Sequence, residues 1–139
     1  MKHKISELEG ALLDAAVAKI EMENDPRISM WGDRPWLDDD TTAGHGMRGR
    51  GYRPSTDPRD GWPIIERENI SVIWGGSDVW FAVKSTELGV SGSVRDEETG
   101  IISPITLALY GRSHKGKTSL IAAMRAYLAS SYGDEVELP

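Results

Sequence analysis

Gly111-Arg112-Ser113-His114-Lys115-Gly116-Lys117-Thr118 is the stretch whose reading decides between two folds. It satisfies the phosphate-loop pattern G-x-x-x-x-G-K-[ST]. In such a loop glycines let backbone N–H groups close around phosphates, Lys adds charge and Ser/Thr holds Mg²⁺. The flanks are of the right kind, with Ile105 to Tyr110 reading as a strand leading in and Ser119 to Tyr132 as a helix leading out. Taken at face value, this is a parallel α/β nucleotide-binding enzyme. The surroundings argue against it. Only one helix and a short tail follow Thr118, whereas each parallel crossover takes roughly a dozen residues or more. A second carboxylate is also needed at the end of a neighbouring strand to hold Mg²⁺. The one hydrophobic run ending in Asp, Ala11-Leu12-Leu13-Asp14, reads as helix. The competing reading is a polar loop with a basic tip opening the last helix, with Thr118 as N-cap and Gly133 as the stop.

Working outward, the texture upstream is that of antiparallel β structure. Ile64-Ile65, Ile70 to Trp74 and Val79 to Val83 suggest strands, with Gly75-Gly76-Ser77-Asp78 as a turn. Arg95 to Gly100 looks like a hairpin connection into Ile101-Ile102 and the strand up to Tyr110. Turns this short favour antiparallel pairing. At the other end, Ser6-Glu7-Leu8-Glu9 has the form of a capping box. Leu8, Leu12, Ala15, Ala16 and Ile20 then recur at helical spacing, widened by Leu13 and Val17, until Asn24-Asp25-Pro26. The second helix puts Leu120, Ile121, Met124 and Leu128 on one face. Residues 24–62 show no helical period and are rich in Gly and Pro. They read as a long surface loop, free to move, of a length usually functional or disordered. The expectation is a single α+β domain over 1–139: an antiparallel sheet with the N-terminal and C-terminal helices packed on it.

With 139 residues the chain can bury a core without staples. It has no cysteine, which excludes disulfides, thiolate metal sites and a cysteine nucleophile. The net charge of −6 argues against a protein that coats nucleic acid. No long apolar run follows Met1-Lys2-His3-Lys4, so neither a signal peptide nor a membrane span is expected, and a cytoplasmic protein is. Five tryptophans against one phenylalanine supply bulky anchors for a core or a binding surface.

Candidate chemistry is sparse. Arg48, Arg50 and Arg53, near His45 and among glycines, could clamp phosphates or carboxylates; the alternative is a solvated loop balancing Asp38-Asp39-Asp40. That Asp run lacks the alternating spacing of a metal loop. Lys115 and Lys117, with His114 and Thr118, could meet an anion at the start of the last helix. Glu66, Arg67 and Glu68 read as charges at a sheet edge. No His-Cys or Glu-x-x-His spacing and no G-x-S-x-G elbow is present, so no catalytic residue, metal or cofactor is indicated.

Three blocks carry a resemblance: Ser6-Glu7-Leu8-Glu9-Gly10-Ala11-Leu12-Leu13-Asp14-Ala15-Ala16-Val17-Ala18; Pro54-Ser55-Thr56-Asp57 with Gly61 and Pro63-Ile64-Ile65-Glu66-Arg67-Glu68; and Leu120-Ile121-Ala122-Ala123-Met124-Arg125 through Ala129-Ser130 to Gly133-Asp134-Glu135-Val136-Glu137. In this order they resemble the NinX family of small proteins from lambdoid phages and prophages; residues 24–51 and 75–115 show no clear family pattern. The chain departs from it with Ala15 and Pro58 where the family tends to carry Trp, and Trp62 where it carries Gly. It also has Gly116-Lys117-Thr118-Ser119-Leu120 where the family usually shows Gly-Pro-Thr-Pro-Leu. A Thr followed by Pro opens helices, so the resemblance implies that Gly116 and Thr118 are helix-entry residues. It brings no catalytic residues and no established activity, only phage accessory genes dispensable for basic growth.

The resulting expectation is a non-catalytic accessory protein that binds a host or phage protein or a small anionic ligand, without a membrane, with self-association left open. Ser55, Thr56, Asp57, Glu66, Arg67, Glu68 and Arg125 form the polar block to inspect first, against the alternative that they only hold the fold. Two other readings are a sponge for nucleotide-derived defence signals using the arginines and tryptophans, and a phosphate-loop enzyme.

Overall fold

The computed structural model describes residues 1–38, 49–84 and 113–139. In chain order these form β1 (Lys2–Lys4), a 3-10 turn (Ile5–Glu7), α1 (Gly10–Asn24), β2 (Ile28–Trp31), β3 (Arg34–Asp38), β4 (Gly49–Gly51), α2 (Pro58–Arg67), β5 (Ile70–Trp74), β6 (Trp80–Lys84), β7 (His114–Gly116), α3 (Ser119–Tyr132) and β8 (Glu135–Glu137). All strand pairings are antiparallel, in the orders β1-β8, β2-β3-β4 and β5-β6-β7. The α+β class is as expected, but among the described residues the sheet is three pieces. α1 packs on β2 and β3, while α3 packs on β5, β6 and β7. The first and last helices therefore serve different sheets and meet each other between them.

α1 starts later than the capping box suggests. The 3-10 turn ends at Glu7, Glu9 occupies the N-cap with no side-chain cap bond, and Gly10, at φ 59°, opens the helix. Ile5 and Leu8 are buried. The buried face is also rotated from the expected stripe. Leu13, Ala16 and Val17 face inward together with Asp14 and Glu21, whereas Leu12 is 46 % exposed. The helix is apolar around most of its girth, so spacing alone does not choose the side that faces the core.

The described part of 24–62 is not a loop. Ile28 pairs with Leu37 and Trp31 with Arg34 across a two-residue turn, Gly32-Asp33, with Gly32 at φ 68°. β4 adds through Trp36↔Gly51 and Asp38↔Gly49. Asp39, Asp40, His45 and Arg48 lie outside the described residues.

The strand expected at Ile64-Ile65 is helix. Asp57 caps α2 by accepting the Arg59 N–H at 2.9 Å, and Pro58 takes the first helical position. Pro63 inside α2 removes one intrahelical donor and disguises the helix. Ile64 and Ile65 bury themselves from it. Glu66 and Arg67 thus end a helix, with Glu68 as its C-cap, and do not edge a strand.

The β5–β6 hairpin follows expectation, turning through Gly76 at φ 118° and Asp78 at φ 54°, with the Gly75 N–H donated to the Val79 carbonyl at 2.8 Å. The hairpin and strand expected over 95–110 fall outside the described residues. α3 also begins as expected: the Thr118 hydroxyl accepts the Ile121 N–H at 3.1 Å, and Gly133 at φ 82° terminates it. Leu13, Val17, Ile64, Val83, Met124 and Leu128 form the driest part of the core. Among the described residues no helix is long and apolar enough to cross a membrane.

Candidate functional site

The described half of the phosphate-loop match is a strand and a helix cap. His114, Lys115 and Gly116 pair with Ala82, Phe81 and Trp80. Gly116 is required by packing, because a Cβ there would collide with the backbone N of Ala122 in the first turn of α3. Lys115 holds its ammonium 5.8 Å from the centre of the Phe81 ring. Lys117 is exposed and stands 3.8 Å from Glu9. The Thr118 hydroxyl is already committed to Ile121. Gly111 and Arg112 lie outside the described residues. Arg125 donates to the carbonyls of Leu8 at 2.9 Å and Lys115 at 2.8 Å, which ties α3 to the chain on both sides. With Lys115, Ser6 and His114 it borders a cleft of about 300 Å³.

The polar block divides into two separate internal ties. In the first, Arg50 clasps Asp60 in a two-pronged pair at 2.7 and 2.6 Å, and Asp60 also accepts the Arg53 N–H at 2.9 Å. Asp57 caps α2 and holds Arg59 at 2.9 Å; the hydrogen bonds between the two side chains, and then their charges, lower the Asp57 pKa and raise that of Arg59. Thr56 is exposed and donates its N–H to the Arg53 carbonyl at 3.2 Å. Ser55 is buried and gives its N–H to Asp14 at 2.8 Å, while among the described residues its hydroxyl oxygen has no hydrogen-bond partner. Burial pushes the Asp14 carboxyl above its usual range despite that N–H.

The second tie lies at the end of α2. Arg67 donates to both oxygens of Glu21 and reaches the Tyr127 hydroxyl at 3.1 Å. Tyr127 in turn donates to Glu21 at 2.7 Å. Glu68 bridges Lys84 at 3.2 Å and Arg67 at 3.3 Å. These cations hold its pKa below the usual range although burial opposes them. Glu66 projects outward.

Sequence reasoning found Arg50 and Arg67 but missed the buried acids that hold them. These are Asp60 and Glu21, and the signal available for the second was an acid, like Asp14 two turns before it, on the apolar face of α1. Among the described residues no group of His, Asp and Glu is arranged to hold a metal ion.

One open groove is mainly apolar. It measures about 580 Å³ and runs along α1 beside the β2–β3 turn and the C-terminal residues, lined by Leu12, Ala15, Met22, Met30 and Leu138. Leu12 and Met22, 46 % and 42 % exposed, are large apolar side chains facing solvent from a helix whose other side is core. Lys19 and Asp33 line it as well, Lys19 donating to the Glu137 carbonyl at 3.2 Å.

A family model described as Bacteriophage P22, NinX matches residues 4–131, from the end of β1 to the last turn of α3. No curated protein matches the chain.

Proposed function

The chain belongs to the bacteriophage P22 NinX family and is a phage accessory protein; from that premise we propose that it acts in the cytoplasm of the infected bacterium as a non-catalytic binding protein. Its partner is a host or phage protein that lays an apolar segment in the α1 groove. The observation that carries this reading is the exposure of Leu12 and Met22 along a groove of about 580 Å³. Large apolar surface kept in water marks interaction sites, and an amphipathic segment in a groove is a recurrent mode of recognition. By contrast, three of the charges that would serve an anion are engaged inside the fold: Arg50 with Asp60, Arg67 with Glu21, Arg125 with backbone carbonyls.

The test combines crosslinking and thermal shift. A photoreactive residue at Lys19, used in infected cells, is expected to trap one discrete partner, and Leu12→Asp with Met22→Asp is expected to abolish the adduct. A large ATP- and Mg²⁺-dependent thermal shift that disappears in Lys117→Ala, with no adduct at Lys19, would replace this reading by the enzyme reading.

A further inference from the structure

The β2–β3–β4 sheet has two faces with different chemistry. Ile28, Met30 and Leu37 point toward α1 and the core. The register puts Trp31, Arg34, Trp36, Asp38, Gly49 and Gly51 on the other face. There the rings of Trp31 and Trp36 stack, centroids 4.6 Å apart and planes 16° apart, and Trp31 is 55 % exposed. Of the glycines beneath them, Gly49 is spatially required. A Cβ on Gly49 would run into the Trp36 indole and the Leu37 carbonyl, and one on Gly51 would stand 3.3 Å from Nε of Arg53. The Arg53 guanidinium therefore lies over Gly51, the cross-strand neighbour of Trp36, on the same face as the stacked indoles.

The arginines single this face out. Among the described residues Arg27, Arg50, Arg59, Arg67 and Arg125 all bond to carboxylates or carbonyls. Arg34 and Arg53 are the described arginines whose side chains have no such bond to another described residue, and both stand on the tryptophan face. The charge of Arg53 acts on Asp14 only through space.

We propose that this face binds a free nucleotide: a planar heterocycle stacked on the exposed side of the Trp31–Trp36 pair, with its phosphate between Arg34 and Arg53. A π-stack supplies sequence-tolerant affinity for a base, and unpaired guanidinium groups match phosphate oxygens in two-pronged fashion. The net charge of −6 disfavours a long polyanion, so the ligand is a small molecule and not a strand. The site is on the opposite side of the sheet from the α1 groove and is independent of what occupies that groove.

Calorimetric titration of the full chain with the four ribonucleoside 5′-monophosphates tests this. At least one is expected to bind saturably, and the matching nucleoside and ribose 5-phosphate to bind at least about tenfold more weakly, each lacking one half of the recognition. Trp31→Ala, and separately the pair Arg34→Gln with Arg53→Gln, are expected to weaken binding at least about tenfold with unchanged circular dichroism and unfolding midpoint. The arginine pair is exposed and keeps the test open if Trp31→Ala disturbs the sheet. No saturable heat with any of the four up to about 1 mM overturns the proposal. So does affinity unaffected by these substitutions, or binding confined to single-stranded oligonucleotides.

Discussion

Arg67 of α2 holds both carboxylate oxygens of Glu21 on α1, each at 2.9 Å, and Glu21 is buried while Arg67 keeps almost half its side chain in water. Tyr127 of α3 completes the tie by donating to the same carboxylate. Burial, and then that hydrogen bond, pushes the phenol well above its ordinary pKa. One carboxylate therefore joins all three described helices.

Glu21→Ala is expected to lose about 2–4 kcal/mol of stability, because it strands a guanidinium and a buried hydroxyl together. The lower end applies, since water partly solvates Arg67. Tyr127→Phe, which leaves the ion pair intact, should lose about 1 kcal/mol. Urea unfolding of both variants checks this, and a Glu21→Ala protein as stable as the parent would refute the joint's importance.

Asp60 is expected to matter more to the fold than Asp57. Asp60→Ala leaves the partly buried Arg50 and the Arg53 N–H without their acceptor, a loss of about 2–4 kcal/mol. Asp57→Ala removes a helix cap and should lose about 1 kcal/mol. The ordering of the two denaturation midpoints decides the matter.

Asp14 supplies a pH signature. Its folded-state pKa lies above the unfolded value because burial disfavours the charge. The folded protein thus binds the extra proton, and the penalty is complete above the folded pKa and vanishes as pH falls below the unfolded one. Asn at this position keeps an acceptor for the Ser55 N–H and never ionises. Asp14→Asn should therefore be at least as stable as the parent at pH 7, with the difference shrinking toward pH 3.8, the ordinary value for this carboxyl. Unfolding free energies of both proteins across that range test it, and a gap that widens on acidification contradicts it.

Gly116 and Lys117 separate packing from phosphate chemistry. Gly116→Ala drives a methyl into the Ala122 backbone, and overpacking of this kind destabilises by about 1–3 kcal/mol. Lys117→Ala, at an exposed side chain, should stay within about 0.5 kcal/mol. Thermal unfolding distinguishes the two, and equal effects would argue against the strand-to-helix packing described.

Parts of this architecture were legible in the residues because local chemistry dictated them: the Thr118 cap, the Gly133 stop, the 70–84 hairpin and the antiparallel pairing its short turn demands. α2 was not, because Pro63 and Ile64-Ile65 imitate a strand and only Asp57-Pro58 betrays the helix start. The Trp31/Trp36 hairpin hid in a Gly/Pro-rich stretch, its Gly32-Asp33 turn too brief to stand out. At the candidate site, Arg50 and Arg67 were visible as charges, but their partners are long-range. Nothing near Arg67 in sequence points to Glu21 or Tyr127, and which side of α1 faces the core is decided by those pairings.

α3 packs against β5, β6, β7, β8, α1 and α2. Translation delivers it after every one of these but β8. Nascent segments usually acquire structure from the N-terminus onward during synthesis, yet here the upstream elements leave the ribosome before their shared neighbour exists. The β5–β6–β7 sheet consequently stays uncovered until α3 has emerged, and that interval is when this half of the chain is most open to chaperones and proteases.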